Sequence, residues 1–284
     1  MPKTGLIDVG GGLRGIYGAG VLDSCLEDNV QFDLCIGVSA GSANTASFLA
    51  GQKGRNYRFY TEYASRKAYM SFENFVKDGS YLGLSYIYGM LSNHDGEDPL
   101  DFGAICRNPS AWNIVSTDAQ TGVPQYFCKS DMVQDDYTPL MASCCIPGVN
   151  QPIQKGENLY FDGGLSDPIP IDKALEEGCE RLVIILTKPI GDLPPSKSDR
   201  LLSKLLHRHY PVAAEELFCR FKTYNTSLQK ARQLEKEGHA LLIAPRDIAG
   251  LKTLTRDKAA LTKLYAMGVE DGKKIAPWLQ KSSL

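Results

Sequence analysis

The chain has 284 residues, 43% hydrophobic and 23% charged, with a formal net charge of -2. These values fit a globular protein with a sizeable core, as one large α/β domain or two small ones. They give no basic footprint for nucleic acid, and no apolar run approaches the roughly 20 residues that span a bilayer.

Gly5 to Val9 (GLIDV) reads as a short buried strand stopped by glycines, and Arg14 to Glu27 as a helix apolar around most of its circumference. Leu34 to Val38 is a second strand, and Ala40 to Leu49 begins a second helix. Strand, tight loop and helix, repeated, predict a parallel sheet with helices on its faces. The segment from about Arg55 to Asp101 is dense in tyrosine and phenylalanine, and short helices and loops covering a site are expected there. Trp112 to Ser116 and Gln125 to Cys128 read as strands joined by the turn Thr117 to Gly122. Leu182 to Thr187 fits a central parallel strand and Leu241 to Ala244 another. Pro194 to Ser198 marks a loop, and Tyr210 to Gly238 and Thr255 to Trp278 read as mostly helical. Because apolar strands recur after residue 180, the C-terminal part is expected to complete the same sheet, giving one domain over residues 1–284.

The eight cysteines form no C-x-x-C pair and no zinc-finger spacing with histidine, so free thiols in a reducing compartment are expected, with no metal site. Met1 to Thr4 leads straight into a strand with no apolar signal-peptide core. The expected location is the cytoplasm.

Two glycine-framed loops carry the chemistry. Gly37-Val38-Ser39-Ala40-Gly41 is a G-x-S-x-G pattern after a predicted strand and before a predicted helix, the context in which a serine hydroxyl is lifted clear of a sheet. Gly10-Gly11-Gly12-Leu13-Arg14-Gly15 sets a row of backbone N–H groups at a helix start, suited to an anion. Ser39 then needs a base. Only 38 residues precede it, too few for the elbow of an ordinary α/β-hydrolase. The histidines are also badly placed: His94 lies in a polar loop, His207 and His209 in a basic helical stretch, and His239 after a helix end. Asp162, at a strand end before Gly163 and Gly164, is the better candidate, although Asp-Gly alone reads more commonly as a hairpin turn. Gly10-x-Gly12-x-x-Gly15 also matches a dinucleotide fingerprint. That reading needs an acid at the end of the second strand, whereas Asp33 stands before it.

Taken together, GGGLRG (10–15), GVSAG (37–41) and DGG (162–164), in that order, resemble the patatin-like phospholipase family. The resemblance covers about residues 5–190, with support from Thr117 through Gly122 and Ala142 through Gly148. Bacterial cytoplasmic members carry an extra C-terminal region like residues 190–284. The resemblance implies a three-layer α/β/α sandwich with a mostly parallel sheet and a Ser–Asp dyad without histidine. Ser39 would be the nucleophile and Asp162 the general base and acid, with the N–H groups of Gly11, Gly12 and Leu13 forming the oxyanion hole. Gly10, Gly15, Gly37, Gly41, Gly163 and Gly164 would frame these loops, and Arg14 would fix its loop or meet a phosphate. The implied substrate is a fatty-acyl ester, as for a phospholipase A or lysophospholipase. No cofactor is implied, and contact with membranes would be transient and peripheral. Cys144-Cys145 departs from the small apolar residues of the family at this point. Acyl transfer to another alcohol would use the same residues, and a catalytically idle lipid-binding fold is a third reading.

Overall fold

The computed structural model describes residues 2–281. In chain order its first half comprises β1 (Thr4–Asp8), α1 (Ile16–Glu27), β2 (Leu34–Val38), α2 (Ala40–Leu49), α3 (Arg55–Thr61), α4 (Phe72–Asp78), α5 (Leu84–Tyr86), α6 (Phe102–Arg107), β3 (Ala111–Asp118) and β4 (Pro124–Phe127). The rest comprises α7 (Thr138–Ser143), β5 (Ile153–Lys155), β6 (Asn158–Asp162), α8 (Ile171–Glu176), β7 (Arg181–Ile185), α9 (Lys197–Leu206), α10 (Pro211–Lys236), β8 (Ala240–Ile243), α11 (Lys258–Gly272) and α12 (Ile275–Gln280).

The strands form one sheet in the order β5-β6-β3-β2-β1-β7-β8, with β4 paired to β3. The run from β3 to β8 is parallel, whereas β4, β5 and β6 are antiparallel additions at one side. From β1 the chain winds outward both ways, so the crevice beyond the C-terminal end of β1 is a topological switch point, where open α/β sheets bind ligands. The loop after β1 is GGGLRG.

Alternate side chains of each parallel strand feed opposite layers, as the two-residue period of a strand requires. Leu6, Cys35, Val183 and Ile185 join the core under α1 and α2, whereas Ile7, Leu34, Ile36, Leu182 and Ile184 join the core under α8 and the C-terminal half of α10. Both faces being covered explains why these strands read as continuous apolar runs. The result is the expected three-layer α/β/α sandwich. Helix α11 packs on α1, where the buried Tyr17 hydroxyl donates to Asp271 Oδ2 at 2.9 Å.

Several expectations shift by a residue or two. The helix read from Arg14 starts at Ile16, because Gly12–Gly15 forms a tighter 3₁₀ turn first. The helix read over Thr255 to Trp278 is two: Asp257 caps α11 by accepting the Ala260 N–H at 3.0 Å, and α12 follows from Ile275. Residues 194–198, read as a loop, run into α9, whose first turn is capped by Ser196 Oγ accepting the Asp199 N–H at 3.2 Å. The aromatic stretch is indeed short helices, including a π-helical turn over Ile87–Leu91.

Candidate active site

Ser39 sits between β2 and α2 with φ 55° and ψ −130°. A non-glycine residue in that region stores about 1–3 kcal/mol of strain and persists only where its surroundings enforce it. Here they do. The Ser39 N–H donates to Ser143 Oγ at 2.9 Å, and that hydroxyl donates to the Val115 carbonyl at 2.6 Å, both buried. The elbow is also locked against the loop after β1. A Cβ on Gly41 would lie 2.1 Å from the Asp8 carbonyl oxygen, and one on Gly10 would lie 2.2 Å from that of Val38. Only glycine permits this approach.

Sheet register brings Asp162 to the elbow. Val38 is opposite Val115 in β3, and the next residue of β3, Ser116, is opposite Asp162 in β6. One strand therefore separates the serine elbow from the aspartate. Ser39 and Asp162 are each 8% exposed and line the same cavity of about 290 Å³. Asp162 Oδ1 accepts the Gly164 N–H at 2.8 Å, and Thr117 Oγ1 donates to the Asp162 carbonyl at 2.9 Å. Burial pushes the Asp162 carboxyl above the ordinary range, while hydrogen bonding with Ser39 and Gly164 pulls it back.

Gly10, Gly11, Gly12 and Arg14 line this cavity too. Among the described residues the N–H groups of Gly11 and Gly12 meet no acceptor, whereas Leu13 N–H donates to the Thr253 carbonyl at 2.7 Å. The loop rests on a buried polar network. Asp8 Oδ1 accepts the Gly10 N–H at 2.9 Å, Asn44 Nδ2 donates to Asp8 Oδ2 at 2.9 Å and to the Gly15 carbonyl at 2.8 Å, and the Tyr60 hydroxyl donates to Asn44 Oδ1 at 3.1 Å. Burial pushes the Asp8 carboxyl up to about 6. Sequence reading passed over Asp8 and Asn44; the signal was an acid inside the otherwise apolar strand GLIDV.

None of the four histidines lines the cavity; His94 is exposed and meets Asp135 at 2.6 Å. All eight cysteines are free thiols. Cys144 lies 3.3 Å from the Tyr88 hydroxyl in a second, tighter cleft of about 30 Å³, whereas Cys145 points away and reaches the Gln151 carbonyl. That cleft is apolar, walled by Phe59, Tyr60, Tyr69, Leu84 and Tyr88, and shares Ser39, Gly12, Ile146 and Leu254 with the first. The aromatic segment thus walls one side of Ser39. Among the described residues no cluster of His, Cys, Asp and Glu could hold a metal ion.

A search of solved structures matches VipD from Legionella pneumophila at a TM-score of 0.50 and 11% identity, covering 96% of this chain and 66% of that one; this likeness concerns the fold. Among curated proteins, the uncharacterized protein YjjU of Escherichia coli is 30% identical over 202 residues, 66% of this chain and 52% of its own. Lysophospholipase NTE1 of Saccharomyces cerevisiae is 23% identical over 206 residues, 67% of this chain and 11% of its own. The chain therefore matches about half of the first relative and a small part of the second. A family model described as a domain of unknown function (DUF6363) matches residues 210–282, and the model for patatin-like phospholipase matches residues 9–175. With more than half of its length matched, and with the sheet, elbow and glycine loop described above, the chain belongs to the patatin-like phospholipase family.

Proposed function

We propose that the chain is a serine hydrolase of fatty-acyl esters, acting through Ser39 and Asp162 without histidine. The observation that carries the reading is the strained Ser39 facing the same cavity as a buried aspartate and two unengaged N–H groups. Asp162 takes the proton from Ser39 Oγ as that oxygen attacks the ester carbonyl. The oxyanion that forms is held by Gly11 and Gly12, with the Thr253 contact at Leu13 fixing the end of the loop. Each well-placed donor contributes about 3–4 kcal/mol in comparable sites. Collapse of the tetrahedral species breaks the bond to the leaving alcohol, which receives the proton from Asp162. Water then repeats the sequence on the acyl-enzyme and releases the fatty acid. Transfer to a second alcohol would use the same groups.

The apolar side chains around Ser39, in the narrow aromatic cleft and at Ile146, Leu165 and Leu217 of the main cavity, support a lipid acyl chain. The exposed face of α9 supports transient contact with a lipid surface. Leu201 and Leu205 are 62% and 67% exposed there, among exposed Lys197, Arg200 and Lys204, and Leu202 of the same helix lines the cavity. Among the described residues no helix is long and apolar enough to cross a membrane. We also propose that residues 1–284 work as one unit, since β8 pairs with β7 in the same sheet.

The test is labelling with a fluorophosphonate probe together with turnover of a short-chain nitrophenyl ester. Wild type is expected to label and turn over, Ser39→Ala to lose both, and Asp162→Asn to lose turnover. Full activity without either residue, or loss on His239→Ala with Asp162→Asn near normal, would overturn the mechanism.

A further inference from the structure

The cavity that holds Ser39 also carries cations, which the aromatic cleft lacks. Arg14, from the glycine loop, Lys188, just after β7, and Arg220, in α10, all line the cavity. Arg14 is 6% exposed, yet its Nε has no hydrogen-bond partner and its Nη1 reaches only the Thr253 hydroxyl, at 3.3 Å. Neither Arg14 nor Lys188 makes an ion pair among the described residues. Arg220 pairs with Asp199 at 2.7 Å. The cavity thus sets three cations against Asp199 and Asp162. Buried charge without a partner costs several kcal/mol in real proteins, so such an excess is maintained where a ligand supplies the counter-charge. The cations also feel one another: burial and then repulsion from Arg14 and Arg220 bring the Lys188 ammonium down to about 8, and burial followed by Arg220 lowers Arg14.

We propose that Arg14, Lys188 and Arg220 form a subsite for the phosphoryl group of a glycerophospholipid head group, directing the enzyme to phosphate-bearing acyl esters over neutral ones. This rests on the ester hydrolase reading above. The cavity then sets the orientation of the substrate: acyl chain against its apolar lining, carbonyl at Gly11 and Gly12, phosphoryl group toward the three cations. Arg and Lys play different parts in such a site. A guanidinium can hold two phosphate oxygens in a fork, whereas Lys188 adds a compact point charge. Two of the three cations lie outside the glycine loop, and Arg220 belongs to the region matched by the domain of unknown function, which thereby helps to choose the substrate.

The experiment compares kcat/KM for octanoyl lysophosphatidate and octanoyl monoacylglycerol, esters that differ by the phosphate alone. Wild type is expected to favour the lysophosphatidate, and Lys188→Gln and Arg220→Gln each to lower that ratio about tenfold, with Lys188→Arg restoring most of it. A ratio within about twofold of wild type in both Gln variants would overturn the assignment. Calorimetric titration with glycerol phosphate reads the subsite without turnover. If wild type hydrolyses no ester at all, the hydrolase reading fails by itself, and binding of glycerol phosphate, weakened about tenfold by Lys188→Gln, still supports the anion subsite. No binding by wild type would overturn it. If inorganic phosphate binds as tightly as glycerol phosphate and the lipid ratio does not move, the site takes free phosphate and the head-group assignment falls.

Discussion

Asp162 carries opposite demands. Its folded carboxyl lies above its unfolded value because burial disfavours the charge. A group shifted in this direction contributes stability below its unfolded pKa and loses it as pH rises through the folded one. Wherever it is ionised the carboxylate is therefore a cost to the fold, one that the proposed proton transfer would account for. Asp162→Asn is expected to raise the melting temperature while turnover falls about a thousandfold. If Asp162 is the base, as proposed, it must be ionised to act, and the acid limb of kcat/KM is expected above the ordinary aspartate range, read from a pH profile on a neutral ester. Ser143 is a second pressure point: Ser143→Ala leaves the Ser39 N–H without its buried acceptor and should cost about 1–3 kcal/mol in denaturant unfolding, with a lower kcat as the elbow relaxes.

Helix α9 shows what sequence reading can miss and why. Pro194 and Pro195 drew the eye to a break, while the Ser196 cap and the leucines after it carried the helix. Its leucines 201, 202, 205 and 206 share one side of the helix yet are exposed or only half-buried, so the stripe does not point to the core. Leu201→Asp together with Leu205→Asp is expected to reduce cosedimentation with anionic vesicles by more than half, with folding tracked by melting temperature. The elbow and the glycine loop were legible for the opposite reason. Each is a local device whose glycines are dictated by backbone packed so close that a Cβ would lie 2.1–2.2 Å from a carbonyl oxygen, and this leaves a fixed pattern in the chain. Asp162 was legible as a residue, but its nearness to Ser39 is a property of two pairings through β3 that no local pattern encodes. Asp8 and Asn44 were not singled out, since their role lies in contacts with one another and with Tyr60.

The whole molecule depends on its C-terminal third. Strand β8 covers β7, whose five residues are all buried, and α11 covers α1. A chain ending at residue 190 would leave β7 as a bare apolar edge, a template for aggregation. It is expected to be insoluble on expression, and the separate 191–281 piece to show no cooperative melt by circular dichroism. A soluble, active 1–190 protein would show that the sheet is complete without β8. On the subsite proposal substrate choice would follow the same division, with aromatic residues between 59 and 88 beside the acyl group and Lys188 and Arg220 on the phosphoryl side.

The contact of Thr253 with the glycine loop has a consequence in time. Thr253 follows Arg14 by 239 residues, so the ribosome makes the loop long before the segment that clamps it. At usual rates of synthesis that interval is on the order of ten to fifty seconds. For most of it the nascent chain has made Ser39 but neither the clamp nor Arg220. On the proposed mechanism the glycine loop stays unclamped until Thr253 has been made, and turnover by the nascent chain is expected only after that point.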